Sequence, residues 1–200
     1  MRVLFSSFAL AATAVLADAP AGYMAVPDKA GADMSKAVYT ASGSNWEVTT
    51  GPAHILYATK DAATGVFAAQ TTIQQLAKPT HPEAYGLFIG GTDLSDPAKR
   101  KYTYFVVRGT GEYLVKVMNG TQTTTISDWK ASADIPKEDA SGKGTYALKV
   151  HVAPNAMHFY VNGKMIAEVP KTAQTPTDGI AGLRINHNLH LMVTPLTVSK

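Results

Sequence analysis

"TYALKVHVAPNAMHFYVNGKMIAEVP", residues 145–170, contains two β-hairpins whose turns can be located from the sequence alone. Apolar and polar residues alternate along it, as they do in strands with one buried face. If Pro154-Asn155 is a two-residue turn, apolar residues oppose each other on one face, and a one-residue slip would bury polar side chains. Asn162-Gly163 then marks a second turn, because an Asn-Gly pair accepts positive φ at both central positions.

The polar face of the first hairpin carries the candidate binding residues. In this register His151 faces His158, and Lys149 faces Tyr160. Two imidazoles at cross-strand distance could share a transition metal, but the neighbouring lysine disfavours a cation and no third ligand is visible. A solvated face is one interpretation, and a ligand-binding face with a stacking tyrosine ring is the other. We therefore predict Lys149, His151, His158 and Tyr160 as ligand-binding residues, and no metal ligand.

"YTYFVVRGTGEYLVKVMNGTQTTTIS", residues 102–127, indicates a three-stranded meander with turns at Thr110-Gly111 and Asn119-Gly120. The first turn predicts two faces. One carries Tyr102, Tyr104, Val106, Tyr113, Val115 and Val117, and the other carries Thr103, Phe105, Val107, Leu114, Lys116 and Met118. Neither face is clearly polar, so the sequence does not indicate which of them packs in the core.

The rest of the chain predicts an all-β domain. From residue 45 onward, about a dozen short segments rich in β-branched and aromatic residues alternate with turn signals, which is typical of a sandwich or barrel. No stretch keeps an apolar period of 3.6 residues long enough to predict a helix. Residues 18–44 are rich in Pro, Gly, Ala and Ser, and we interpret them as a leader segment before the domain at 45–200.

Several of these segments together resemble a known superfamily. "YGLFIGG" (85–91), the meander, the hairpins of 145–170 and "GIAGLRIN" (179–186) occur in this order in concanavalin A-like sandwiches. The chain resembles the laminin-G-like and 3-keto-disaccharide-hydrolase-like branches, which share the motifs L-x-V-x-V, F-Y-V-N-G-K and G-x-A-G-L-R. The resemblance covers residues 45–198 and implies a two-sheet antiparallel jelly roll, often with a carbohydrate on one sheet. These motifs belong to hairpins and a closing strand, so they specify fold better than function.

Signs of catalysis are weak. Retaining glycoside hydrolases need two carboxylates about 5–5.5 Å apart, which on one strand requires acids two or four residues apart. No glutamate has another acid at that spacing on a predicted strand; the five are Glu47, Glu83, Glu112, Glu138 and Glu168. The chain also lacks cysteine and a G-x-S-x-G motif. The sequence favours a non-catalytic protein, with a hydrolase of glycosides or sugar derivatives as the alternative.

One loop raises the question of calcium. Asp93 and Asp96 in "GGTDLSDPAKRK" could begin a cage of oxygen ligands. Lys99, Arg100 and Lys101 follow directly and would repel a dication. We therefore interpret the segment as a solvated loop and predict no cofactor.

"GLRINHNLHLMV", residues 182–193, contains two histidines three residues apart. In a strand, such neighbours lie on opposite faces, so His187 and His190 cannot chelate one ion together unless the strand breaks between them. The triplet 186–188 is polar and turn-prone, and it predicts a strand–turn–strand arrangement with His187 at the turn. The inward residues would then be Leu189, Leu191 and Val193.

The chain begins with features of an export signal. A positive start precedes an apolar run over residues 3–16, which is too short to span a bilayer but suits a signal-peptide core. We predict a signal peptide over 1–17, cleavage after Ala17, a secreted or periplasmic protein, and no membrane anchor after cleavage.

The formal net charge of +3 is too small to favour nucleic acid as a partner. The leading hypothesis is an exported β-sandwich that binds a carbohydrate or surface polymer, and a structural module of the cell envelope is a further alternative.

Overall fold

The computed structural model describes residues 19–200, so the predicted signal peptide at 1–17 lies outside the described residues. Within 19–200 the chain forms fifteen strands and one short 3-10 helix, Met34–Lys36. No helix in this range is long and apolar enough to cross a membrane.

The strands form two antiparallel sheets. The seven-stranded sheet has the spatial order β1 (Met24–Pro27), β4 (His54–Ala63), β13 (Gly179–Ile185), β6 (Ala84–Thr92), β7 (Lys101–Arg108), β8 (Glu112–Asn119) and β9 (Gln122–Ala131). The eight-stranded sheet has the order β12 (Lys164–Pro170), β11 (Ala156–Val161), β10 (Gly144–Val152), β5 (Phe67–Gln75), β14 (His190–Val193), β3 (Asn45–Thr49) and β2 (Val38–Ser42), and β15 (Thr197–Ser199) also pairs with β5. The predicted all-β, two-sheet architecture is confirmed.

The segment that we interpreted as a leader, residues 18–44, supplies an edge strand to each sheet. From this segment, β1 pairs with β4 and β2 pairs with β3. Just before β1, the ring of Tyr23 packs edge-on against Trp46 of β3, with the ring centroids 4.7 Å apart. The segment therefore contacts both sheets.

The hairpin of β10 and β11 has the register that its alternation predicts. Val152 pairs with Met157 and Leu148 pairs with Val161, and all four side chains are buried in the core between the sheets. On the opposite face of the hairpin, the two predicted polar pairs, Lys149–Tyr160 and His151–His158, are next to each other, two register positions apart. The following turn is also confirmed, since Asn162 and Gly163 both have positive φ, +48° and +79°.

The predicted register of the meander is wrong by one residue. Arg108 pairs with Glu112, so the β7–β8 loop has three residues and Gly111 lies in the left-handed region at φ +87°. Three-residue hairpin loops place a residue in that conformation. Val106 consequently faces Leu114 rather than Val115. The second hairpin exists as predicted, but its two turn residues are 120 and 121, because Asn119 pairs with Gln122.

Both faces of the meander are buried, in two different clusters. Phe105 and Val115 belong to the main core between the sheets. Tyr102 and Met118 belong to a second apolar cluster on the outer face of the seven-stranded sheet, which includes Leu94 of the loop 93–100. This double burial is the reason that neither face is polar in sequence.

A buried arginine holds that covering loop in place. Arg100 is only 1% exposed and donates hydrogen bonds to the carbonyl oxygens of Pro27 (3.0 Å) and Asp28 (2.7 Å). The amide of Gly120 in turn donates to the carbonyl oxygen of Arg100, at 2.8 Å. The loop therefore joins the end of β1 to the β8–β9 turn.

Candidate functional site

A groove of about 470 Å³ lies on the outer face of the eight-stranded sheet. Its volume is in the range of small-molecule sites. The polar and aromatic residues that line it come from β5, β10, β11 and the segment after β14; they are Gln70, Thr71, Thr72, Lys149, Tyr160, Thr194 and Thr197. Two of the four predicted binding residues thus line this groove.

The lysine and the tyrosine of the groove contact each other. The Nζ atom of Lys149 lies 4.2 Å from the ring centroid of Tyr160, within the range of a cation–π interaction. Both side chains are partly exposed. The groove therefore combines an aromatic ring, an ammonium donor, an amide and several hydroxyl groups, which suits a neutral ligand rich in hydroxyls.

One wall of the groove is fixed by the segment that follows β14. The hydroxyl of Thr71 donates to the carbonyl oxygen of Thr194 at 2.5 Å, and the Thr194 amide donates to the carbonyl oxygen of Thr72 at 3.0 Å. β15 then pairs with β5 through Thr197 and Gln70. These bonds hold the wall in place before any ligand binds.

The predicted histidines continue the same sheet face beyond the groove. The ring centroids of His151 and His158 are 5.6 Å apart. His158 also has a partner that the sequence did not indicate, since its Nε2 atom lies 3.2 Å from Oε2 of Glu168 on β12. The structure therefore brings all four predicted residues to one face but places only the lysine and the tyrosine in the groove.

A different histidine pair converges at one end of the sandwich. Nδ1 of His81 and Nε2 of His187 each lie 2.9 Å from Oε1 of Glu83, which is 5% exposed. Within residues 19–200, these are the only three His, Cys, Asp or Glu side chains whose ligand atoms all lie within 4.8 Å of one another. The sequence alone does not bring these three residues together.

The loops that carry this group are joined by amide side chains. Asn186 Nδ2 donates to Oε2 of Glu83 at 3.0 Å, and Asn188 Nδ2 donates to the Thr80 hydroxyl at 2.7 Å. The predicted turn at His187 is confirmed, because residues 186–189 separate β13 from β14. The strand breaks between His187 and His190, and the two histidines contact different acids: Nε2 of His190 lies 2.6 Å from Oε1 of Glu47.

The outer face of the seven-stranded sheet carries two arginines that contact neighbouring side chains. Arg184 pairs with Asp28 and donates to the carbonyl oxygen of His54 at 3.2 Å. Near the other side of this sheet, the guanidinium of Arg108 stacks on Trp129, 4.1 Å from the ring centroid. Both guanidinium groups are therefore positioned by contacts within the chain.

In the loop 93–100, which we interpreted as solvated rather than calcium-binding, Asp96 has local partners. Asp96 accepts a hydrogen bond from the Ala98 amide at 2.9 Å and pairs with the ammonium of Lys99 at 3.2 Å. These contacts lower the pKa of Asp96, with the Ala98 bond as the largest cause. The carboxylate thus stabilises the turn that precedes Arg100.

Comparison with known proteins identifies structural but not sequence relatives. No protein-family model and no curated protein sequence matches the chain. Carbohydrate-binding module CBM66 from Bacillus subtilis aligns with a TM-score of 0.64 at 10% identity, over 90% of this chain and 96% of that one. A Bacillus subtilis protein of unknown function with a galectin-like fold gives 0.61 at 12% identity, over 88% of both chains. The Emp46p carbohydrate recognition domain, in its potassium-bound form, gives 0.59 at 9% identity, over 89% of this chain and 88% of that one. The chain therefore has the two-sheet jelly-roll sandwich fold of these structures.

Proposed function

We propose that this protein is an exported, non-catalytic β-sandwich that binds a carbohydrate in the groove of the eight-stranded sheet. The observation that carries the proposal is the groove itself, where the Tyr160 ring lies beside Lys149 and a row of threonine hydroxyls. The names of two structural neighbours, a carbohydrate-binding module and a carbohydrate recognition domain, support the same class of ligand.

The groove matches the two kinds of surface that a sugar presents. A pyranose ring has an apolar face of C–H groups, which packs on an aromatic ring, and a rim of hydroxyl groups. Hydroxyls of Thr72, Thr194 and Thr197 can donate and accept hydrogen bonds, while Lys149 can only donate. Such a mixed lining fixes the orientation of a ligand while the ring supplies contact area.

We further propose that the protein is exported and that it belongs to one of the two branches that its motifs resemble. Cleavage after Ala17 would leave every described strand intact, because β1 begins only at Met24. The mature protein would then be secreted or periplasmic, with no membrane anchor. Membership of the laminin-G-like or 3-keto-disaccharide-hydrolase-like branch rests on the hairpin and closing-strand motifs of 145–170 and 179–186.

A polysaccharide pull-down with plant, bacterial and storage polymers tests the proposal. We expect Tyr160→Ala and Lys149→Ala to weaken binding by at least about tenfold, or about 1.4 kcal/mol. Matched controls on the other sheet are Trp129→Ala and Lys116→Ala, which should bind like the wild type. Absence of binding to every polymer would contradict the proposal, as would loss of binding in the Trp129 variant alone.

The same samples separate the alternatives. A hydrolase would release soluble sugar from a bound polymer, whereas a binding module leaves the polymer intact. A structural module of the envelope would retain neither polymer nor sugar and would instead capture an envelope protein.

A further inference from the structure

We propose that His81, Glu83 and His187 form a binding site for a divalent transition metal, with zinc as the best match. The site lies in the loops at one end of the sandwich and is independent of the carbohydrate groove. The observation is the convergence of two imidazole nitrogens on one buried carboxylate oxygen, each at 2.9 Å.

The donor set is that of a transition metal. Imidazole nitrogens and carboxylate oxygens are regular zinc ligands, whereas calcium prefers oxygen ligands alone. Tetrahedral ligands at bond lengths of about 2.0–2.1 Å lie about 3.3 Å apart. The two nitrogen–oxygen distances of 2.9 Å therefore need to widen by only a few tenths of an ångström to admit the ion. The histidine side chains are 56% and 52% exposed, so their rings have room to make that shift.

The carboxylate is buried and oriented for this role. Glu83 is 5% exposed, and a carboxylate removed from water requires positive charge or hydrogen-bond donors. Asn186 donates to Oε2 and leaves Oε1 directed at the two histidines. Amides that orient ligands in this way are typical of metal sites, where they raise affinity by fixing ligand geometry.

Two loops supply the ligands, and the structure holds those loops together. The Asn188–Thr80 hydrogen bond joins the turn that carries His187 to the segment that carries His81. Close to this bond, the backbone amide of Asn186 donates to the carbonyl oxygen of Ala84 at 3.0 Å. The exposed side of the two rings leaves a fourth position open to water or to an exogenous ligand, as in zinc sites with three protein ligands.

Metal titration of tag-free, chelator-treated protein tests the proposal. We expect calorimetry to show saturable binding of about one zinc ion per chain, and cobalt to give the visible absorption of a low-coordinate nitrogen–oxygen site. His81→Ala and His187→Ala should each lower zinc affinity by at least about tenfold, the lower end of the loss seen when a metal site is disturbed. Because these two side chains are half exposed, both variants should keep the wild-type unfolding transition, whereas Glu83→Gln changes a buried group and is the secondary test.

The chain offers a matched control in its other histidine pair. His151→Ala and His158→Ala lie on the outer face of the eight-stranded sheet and should bind zinc like the wild type. The proposal fails if zinc does not bind saturably, if binding survives both loop substitutions, or if it is lost in the sheet variants. Zinc binding does not depend on Tyr160, so failure here leaves the carbohydrate proposal standing, and the reverse also holds.

Discussion

His54 at the start of β4 is fully buried and has a defined proton position. Its Nδ1 atom lies 2.8 Å from the carbonyl oxygen of Pro52, which can only accept, so Nδ1 carries the hydrogen. Nε2 is then unprotonated and accepts a hydrogen bond from the hydroxyl of Tyr39. Burial lowers the pKa of His54 to about 4, because a charged imidazolium would lose its hydration there.

This histidine should make stability fall on mild acidification. In the unfolded chain it takes up a proton near its ordinary pKa of 6.5, whereas the folded chain resists protonation until about pH 4. The stabilisation is therefore complete above about pH 6.5 and is lost as the pH falls towards 4. At pH 4.5 the loss should be about 2–3 kcal/mol.

Denaturant unfolding at pH 7.5 and 4.5 measures this loss. His54→Gln should show a smaller difference between the two pH values than the wild type. His190→Gln, which changes a partly exposed histidine, should keep the wild-type difference. An unchanged difference in the His54 variant would show that other groups carry the acid sensitivity.

At the scale of single elements, the β7–β8 loop shows how a turn sets a register. Gly111 has φ +87°, and an added Cβ would lie 3.1 Å from Cγ of Lys137 and 3.2 Å from the carbonyl oxygen of Ile135. Next to it, Glu112 accepts hydrogen bonds from Arg108 Nε (2.8 Å) and the Thr110 hydroxyl (2.6 Å). These hydrogen bonds lower the pKa of Glu112 to about 2, and the bond from Arg108 is the largest cause.

Gly111→Ala should therefore destabilise the protein by more than the backbone strain alone. Gly65 is the matched control, because it has a similar φ of +75° with nothing within 4 Å of an added Cβ. We expect about 1–2 kcal/mol for Gly65→Ala and a clearly larger loss for Gly111→Ala in thermal or denaturant unfolding. Equal losses of stability in the two variants would mean that Lys137 and Ile135 move away from the added Cβ without a cost in free energy.

The sequence predicted some hairpins better than others, for a physical reason. The β10–β11 hairpin has one buried and one solvated face, so its alternation selects a single register. In the meander both faces are apolar, because the loop 93–100 covers the outer one. The two registers of β7 and β8 that differ by one residue therefore bury equally apolar side chains, and the sequence pattern does not distinguish them. A covering loop of this kind leaves no periodic signal of its own.

The histidine cluster could not be predicted from local sequence either. His81 and Glu83 alternate in a short segment before β6, and His187 lies in a turn after β13. Only the pairing of β13 with β6, with Ile185 opposite Tyr85, brings the two segments together. The strand pairing of the whole sheet therefore had to be known before the candidate site could be recognised.

At the scale of the whole molecule, strands from the C-terminal region occupy the middle of both sheets. β13 lies between β4 and β6, and β14 lies between β5 and β3. Their inward side chains are part of the main core, with Leu183 and Leu191 both buried. Removing these strands would leave two incomplete sheets with new open edges.

A chain that ends at residue 178 should therefore lose cooperative unfolding. A chain that ends at residue 196 is the control, because it lacks only β15 and the last residue while keeping the buried Leu196. We expect the longer chain to unfold in one transition by circular dichroism and the shorter one to show none. A cooperative transition in the shorter chain would mean that β4 and β6 can pair without β13.

The central position of β13 and β14 also orders events during synthesis. In the chain β13 follows both of its sheet neighbours, β4 and β6, and β14 follows β3 and β5, so neither sheet can close before these strands have left the ribosome. Until then the preceding strands remain part of an open polypeptide whose sheets are incomplete. An export channel that transports unfolded chains could therefore accept this protein without first unfolding a native domain.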